Sequence, residues 1–225
     1  MSENVDRKYY EVIRSHSLAE RLLIRARMHI YEDFMRLMAP AEDDEIVDVG
    51  VSDTISDGTN GLERQYPFLE KITACGLGGG VDFRAAFPDC AYCKISPRAR
   101  LPFPDKRFAI ATANAVLEHV GGRHEQAEFL AELCRVARRV FVSVPHRFFP
   151  VEHHTALPLV HYFDRSFGWA CRLTGKDDWA KEANLILMSG ARLRSVAAAA
   201  GVTGTVGLTG LRLGPLSSNL FLAIR

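Results

Sequence analysis

The segment Val140-Phe141-Val142-Ser143-Val144 is an almost unbroken apolar run that stops at Pro145. Such a strand has no polar face to turn toward water, so it belongs inside a sheet covered by helices on both sides, the usual setting of parallel strands. Parallel neighbours cannot be joined by a tight turn and need a crossover, usually a helix. The rest of the chain supplies both parts. Ser17 to Met38 carries Leu23, Ala26, Ile30, Phe34 and Leu37 at intervals of three or four, an amphipathic helix that Pro40 ends. Ile46 to Gly50 reads as a strand, Gly61 to Glu70 as a short helix, Lys71 to Gly76 as a second strand running into Gly78-Gly79-Gly80, and Ala91 to Ile95 as a third. Phe108 to Ala113 predicts a fourth strand, and Arg123 to Arg138 a helix with Ala127, Leu130, Ala131, Cys134 and Ala137 on one face. Ala191 to Ala200 predicts a last helix capped by Gly201, and Val202 to Leu208 and Asn219 to Ile224 two closing strands.

This alternation predicts one α/β domain over residues 1–225: a doubly wound, seven-stranded, mostly parallel, Rossmann-like sheet. Residues 1–40 are expected to form an N-terminal helical extension. Residues 146–188, where the periodicity loosens, are expected to form an insertion with one or two short helices and to carry substrate recognition. Ligands of such sheets sit beyond the carboxyl ends of the strands.

Composition narrows the function. Lys and Arg number 28 against 27 Asp and Glu, so no overall field draws in a nucleic-acid backbone, and general nucleic-acid binding is not expected. No stretch approaches the ~18 apolar residues of a membrane span, and the first residues lack the apolar run of a secretory signal, so a cytoplasmic location without membrane attachment is expected. The five cysteines then read as reduced thiols. Cys90-x-x-Cys93 lacks the second ligand pair of a zinc site and leads into an extended run, so buried thiols are the simpler account. No metal site is expected: His154 and His161 stand seven residues apart, not the four that place two ligands on one helical turn.

The most informative stretch is Leu101-Pro102-Phe103-Pro104-Asp105-Lys106-Arg107-Phe108, followed by Asn114-Ala115-Val116-Leu117-Glu118-His119-Val120. It resembles the class I S-adenosylmethionine-dependent methyltransferases, type 11 branch, in which an LPF-x-D-x-x-F loop enters the fourth strand and an LEH segment follows it beside the methyl group. The resemblance runs from about Glu45 onward. Asp48-Val49-Gly50 stands where that family's first glycine loop begins, and Phe129-Leu130-x-Glu132-Leu133-x-Arg135-Val136 is similar to its helix before strand five. Phe149 to Thr155 also looks like a segment of a bacterial subgroup found near sugar-polymer synthesis genes.

The resemblance implies S-adenosylmethionine as cofactor, with Asp48, Val49, Gly50, Ser52, Gly76, Gly78, Leu101, Asn114 and Ala115 as its contacts. A glycine at the first loop lets backbone N–H groups approach the ligand, and the following helix start offers unpaired donors to its carboxylate. Three places depart from the family pattern. Only Gly50 remains of the glycine triplet, Gly78 stands where a ribose-binding carboxylate is usual, with Asp82 the nearest acid, and Pro97 stands where an acceptor for the adenine amino group is usual. Each lost bond to a charged acceptor weakens binding by about 1.5–3 kcal/mol. The basic residues Arg84, Lys94, Arg98, Arg100, Lys106 and Arg107 outnumber Asp89 and Asp105 between Arg84 and Arg107, which reads first as a solvated face and second as an anion site.

Methyl transfer to oxygen or nitrogen is an in-line displacement, so the protein must align the partners, exclude water and, for some acceptors, take a proton. Histidine suits the last task. His119, after strand four, and His154, in the insertion, are the candidate catalytic residues. The acceptor is expected to be a small or sugar-containing molecule. Two other readings stand beside this one: a non-catalytic or repurposed protein of the same fold that binds a partner or an anionic ligand, favoured by Gly78 and Pro97, and a nicotinamide-dependent oxidoreductase, which would need a G-x-G-x-x-G fingerprint that this chain lacks.

Overall fold

The computed structural model describes residues 18–56 and 58–225. Helix α1 (Leu18–Met38) precedes β1 (Ile46–Val49), β2 (Ile72–Gly76), α2 (Val81–Ala86), β3 (Ala91–Lys94) and β4 (Phe108–Asn114). Then follow α3 (Arg123–Val136), β5 (Ala137–Pro145), α4 (Asp164–Leu173), α5 (Gly190–Ala199), β6 (Thr205–Leu213) and β7 (Leu216–Ile224). The predicted first helix matches α1 closely; its Ser17, and the first seventeen residues of the expected extension, lie outside the described residues.

The seven strands form one sheet in the order β3-β2-β1-β4-β5-β7-β6. β3, β2, β1, β4 and β5 are parallel. β7 runs antiparallel to both β5 and β6. The strand order therefore reverses between β1 and β4, which opens a crevice beyond their carboxyl ends.

Alternation along the strands fills two cores. On one face Val47, Val49, Val140, Val142 and Val144 pack with Leu130, Leu133 and Val136 of α3 and Leu193 and Val196 of α5. On the other, Ile46, Ile72, Ile110 and Phe141 meet Ile30, Phe34 and Met38 of α1, with Phe34 edge-on to Phe141 at 5.7 Å between centroids. Fully burying each such side chain contributes about 1.5–3 kcal/mol, so α1 is a full layer of the fold. Among the described residues no helix is long and apolar enough to cross a membrane.

Two expectations are corrected and one further element is found. Gly61 to Glu70 forms turns rather than a helix, with only a short 3-10 turn at Leu69–Lys71. Residues 81–86, unassigned on sequence, form α2. Ala137 and Arg138, expected at the end of a helix, begin β5 instead, because Ala137 pairs with Phe108 of β4. Residues 146–188 hold α4 and two 3-10 turns around a small core of Phe167, Cys171, Trp179 and Leu185.

Candidate functional site

The crevice is a cleft of about 780 Å³, lined by the segments that leave β1 to β4, among them Val49, Gly50, Asp53, Gly78, Pro97 and Leu101. Gly50 is required here twice over. Its φ is +104°, and a Cβ would lie 2.2 Å from Val116 Cγ2. The first residues of the loop that follows, Val51 to Thr54, include no further glycine, and the loop is held by Asn60, whose side-chain amide accepts from the Ser52 N–H at 2.9 Å and donates to the Ser52 carbonyl at 2.9 Å.

Gly78 has no side chain to offer, yet a carboxylate stands beside it. A Cβ on Gly78 would come 3.2 Å from Asp53 Oδ2. Asp53 accepts from the Gly80 N–H at 2.9 Å and the Phe83 N–H at 3.0 Å, satisfying donors at the start of α2. The sequence marks Gly78-Gly79-Gly80 but not Asp53 as its partner, since 27 residues separate Asp53 from Gly80. Gly76 is not brought to the cleft: it makes room for Tyr92, whose hydroxyl oxygen would lie 2.5 Å from a Cβ there.

The Leu101 end of the cleft is fixed by Arg135 of α3. Its guanidinium donates to the carbonyls of Leu101 at 3.1 Å and Phe103 at 2.9 Å, and pairs with Asp105 and Glu132, each at 2.7 Å. Most of the basic run is likewise taken up by the fold. Arg84 donates to the Gly79 carbonyl, Lys106 to those of Cys134 and Ala137, and Arg107 and Arg100 pair with Glu45 and Asp105.

A second, smaller cavity adjoins, between α1 and the sheet. Asp48, Gly50, Ser52, Asn114, Ala115, His119 and His154 line it together with Arg27 and Tyr31. Ala115 has φ +57°, a strained conformation for a residue with a Cβ, at the bend that carries the chain from β4 toward His119. Asp48 points toward α1 because its neighbours Val47 and Val49 fill the opposite face. Burial raises its pKa to about 7, although Glu63 and Arg27 pull the other way. Glu63 is raised as well, by burial and then by the Asp48 charge. Near neutrality the pair therefore favours keeping a proton on one of its carboxyls.

At the far wall His119 and His154 meet. Their Nε2 atoms are 3.0 Å apart, with the rings edge to face. His119 Nδ1 lies 2.6 Å from the Asn184 carbonyl, which only accepts, so Nδ1 carries that ring's hydrogen. His154 Nδ1 donates to Glu152 at 2.8 Å. Glu152 also accepts from the His154 and Thr155 N–H groups and the Thr155 hydroxyl. Burial opposes charge on Glu152, but His154 and these bonds hold its carboxyl well below the ordinary range. Burial, then His154, depresses the His119 ring to about 3. On His154 burial is outweighed by Glu152, so that ring is raised. Trp179 closes over both rings, at 5.1 Å from His154 and 6.2 Å from His119.

Glu118 stands behind the two rings, buried, with its Oε1 3.9 Å from His119 Nε2 and 4.0 Å from His154 Nε2. Burial lifts its carboxyl to about 7. Two other histidines near the insertion have structural bonds: His146 with the Ser217 carbonyl and His161 with that of Phe149. The segment Leu117-Glu118-His119 was visible in the sequence, but the partners that give it meaning, Glu152 and His154, lie more than thirty residues away.

Residues 80–140 match the family model described as a methyltransferase domain. No curated protein matches the sequence. Among solved structures, a possible histamine N-methyltransferase from Thermotoga maritima superposes with a TM-score of 0.61 at 14% identity, covering 99% of each chain. A SAM-dependent methyltransferase from Aquifex aeolicus gives 0.60 at 12% identity and 97% of each chain. The magnesium protoporphyrin IX methyltransferase from Synechocystis with bound SAH gives 0.58 at 12% identity, over 99% of this chain and 93% of that one.

Proposed function

We propose, from the premise that this chain has the class I methyltransferase fold over its whole described length, that it transfers a methyl group from S-adenosylmethionine to a small or sugar-containing acceptor. The observation that carries this reading is the cleft beyond β1 to β4, with room for a molecule of that size and with Gly50 backbone at its floor. The residues present fit the cofactor: Asp48, Gly50 and Ser52 would hold its amino-acid end, Asp53 its ribose in place of the side chain that Gly78 lacks, and Pro97 and Leu101 would enclose its adenine. Asn114 and Ala115 would face the methyl group. The bound cofactor supplies a sulfonium methyl as electrophile.

The protein's own part is alignment, water exclusion and handling of the acceptor's proton. The cavity under α1 would receive the acceptor, with Trp179 and the segment 146–188 closing it from solvent. His119 and His154 stand at its end as the groups that hold the acceptor atom or take its proton.

Calorimetric titration of the purified chain with S-adenosylmethionine and S-adenosylhomocysteine tests this. Micromolar affinity is expected. Absence of heat up to millimolar ligand would instead favour the second reading, a binding protein built on the same fold, for which Gly78 and Pro97, neither with a side-chain acceptor, speak.

A further inference from the structure

We propose that Glu118, His119 and His154 form a binding site for one divalent first-row transition-metal ion, held by Glu118 Oε1 and the Nε2 atoms of both rings. The three atoms belong to buried side chains that converge on one point. Separations of 3.0, 3.9 and 4.0 Å leave a point about 2.1 Å from each of them, the length of an ordinary zinc–nitrogen or zinc–oxygen bond.

Hydrogen placement leads to the same conclusion. Each ring gives its Nδ1 hydrogen to an acceptor, His119 to the Asn184 carbonyl and His154 to Glu152. This is how metal-bound imidazoles are commonly oriented, with the second nitrogen tied to a carbonyl or carboxylate. The two Nε2 atoms then face one another at 3.0 Å, where either a shared proton or a metal ion can lie between them. A proton shared by the rings would do nothing for Glu118. Both Glu118 oxygens are buried, and among the described residues neither has a hydrogen-bond partner. Burying a carboxylate that way is expensive unless a cation pairs with it. One metal ion answers both demands.

Two imidazoles and one carboxylate suit zinc, manganese, iron(II) or cobalt better than magnesium or calcium, which prefer all-oxygen sites. The rings line the cavity under α1 while Glu118 stands behind them, so unfilled coordination positions open toward that cavity. An acceptor oxygen, hydroxyl or carboxylate, would complete the shell, and the ion rather than a free ring would then stabilise its deprotonated form. That last step rests on the methyl-transfer reading; the metal site does not. The histidine pair is also not the one whose spacing argued against a metal in the sequence: His119 and His154 come from separate segments, and His161 takes no part.

The test uses untagged full-length protein, equilibrated with Zn2+, Mn2+ or Co2+ and freed of unbound ion, then assayed for metal by mass spectrometry and for the visible absorption of bound Co2+. One ion per chain is expected. His154→Ala and Glu118→Gln should each weaken binding at least tenfold, while His124→Ala, on an exposed ring that pairs with Glu128, should bind as the unaltered protein does. Glu118→Gln keeps size and shape and decides the matter if His154→Ala does not fold. No binding by the unaltered protein at millimolar metal, or binding unchanged in Glu118→Gln, overturns the proposal. S-adenosylmethionine titration, run separately, shows whether the transfer reading stands or falls on its own.

Discussion

Gly50 and Val116 are in such close contact that no side chain fits between them: a Cβ on residue 50 would lie 2.2 Å from Val116 Cγ2. Gly50→Ala should therefore destabilise the fold by about 2–4 kcal/mol, from the strained φ and the clash together. Adding Val116→Ala should relieve only the clash, because the +104° backbone angle remains. Chemical denaturation of the single and double variants checks this; a double variant as stable as the unaltered protein would show that the angle costs nothing.

Asp53 is expected to serve both the fold and the cofactor. Asp53→Ala removes the acceptor of two backbone N–H groups and should cost about 1–3 kcal/mol. Asp53→Asn retains one acceptor oxygen and loses the charge, so it should recover much of the stability while S-adenosylmethionine binding stays weakened about tenfold. Melting temperature and calorimetry on the two variants separate these effects, and equal cofactor affinity in Asp53→Asn and the unaltered protein would remove Asp53 from the ribose site.

The Asp48–Glu63 pair makes stability depend on pH in a stated direction. Asp48 is raised from 3.8 to about 7 in the fold, and Glu63 is raised too. The folded chain therefore keeps a proton that the unfolded chain releases, so this contribution is whole below about pH 3.8 and is lost as pH rises to about 7. Glu63→Gln removes one of the two acids. Relative to the unaltered protein the variant should gain stability as pH climbs from 4 to 8, by on the order of 1–2 kcal/mol at the upper end. Urea midpoints across that range provide the measurement, and a difference that does not change with pH would contradict it.

Arg135 ties the loop at Leu101 to α3 through a planar fork. Arg135→Lys keeps the charge but cannot reach both carbonyls and both carboxylates at once. The loop should loosen, with faster amide hydrogen exchange around Leu101–Asp105 and cofactor binding weakened severalfold. Unaltered exchange there would mean that the apolar contacts of Leu101 and Phe103 suffice.

The strands and long helices could be read from the sequence because burial imposes their periods. Val140 to Val144 sits between two helical layers, and α1 shows its apolar stripe plainly. Element ends were less legible where tertiary pairing decides them: Ala137 follows a helical pattern but pairs with Phe108, and β6 runs on to Leu213 through Gly210 because Leu216–Ile224 returns beside it. α2 was invisible, being six residues long and organised by a carboxylate from another loop. Within the site, His119 and His154 were marked separately and the fold brings them to 3.0 Å. Glu118, Glu152, Glu63 and Asp53 went unmarked as site residues because isolated carboxylates in a sequence look like surface; only burial beside named partners distinguishes them.

His119 rides on the end of β4, whereas His154 and Trp179 come from the segment inserted after β5. On the proposed reading, recognition of the acceptor would be divided from the binding of the methyl donor along a seam in the chain. Substitutions in 146–188 could redirect what is methylated while the floor beneath β1 and β2 stays as it is. A lineage of such proteins would then diversify its products by rewriting one loop-rich stretch and leaving the sheet untouched.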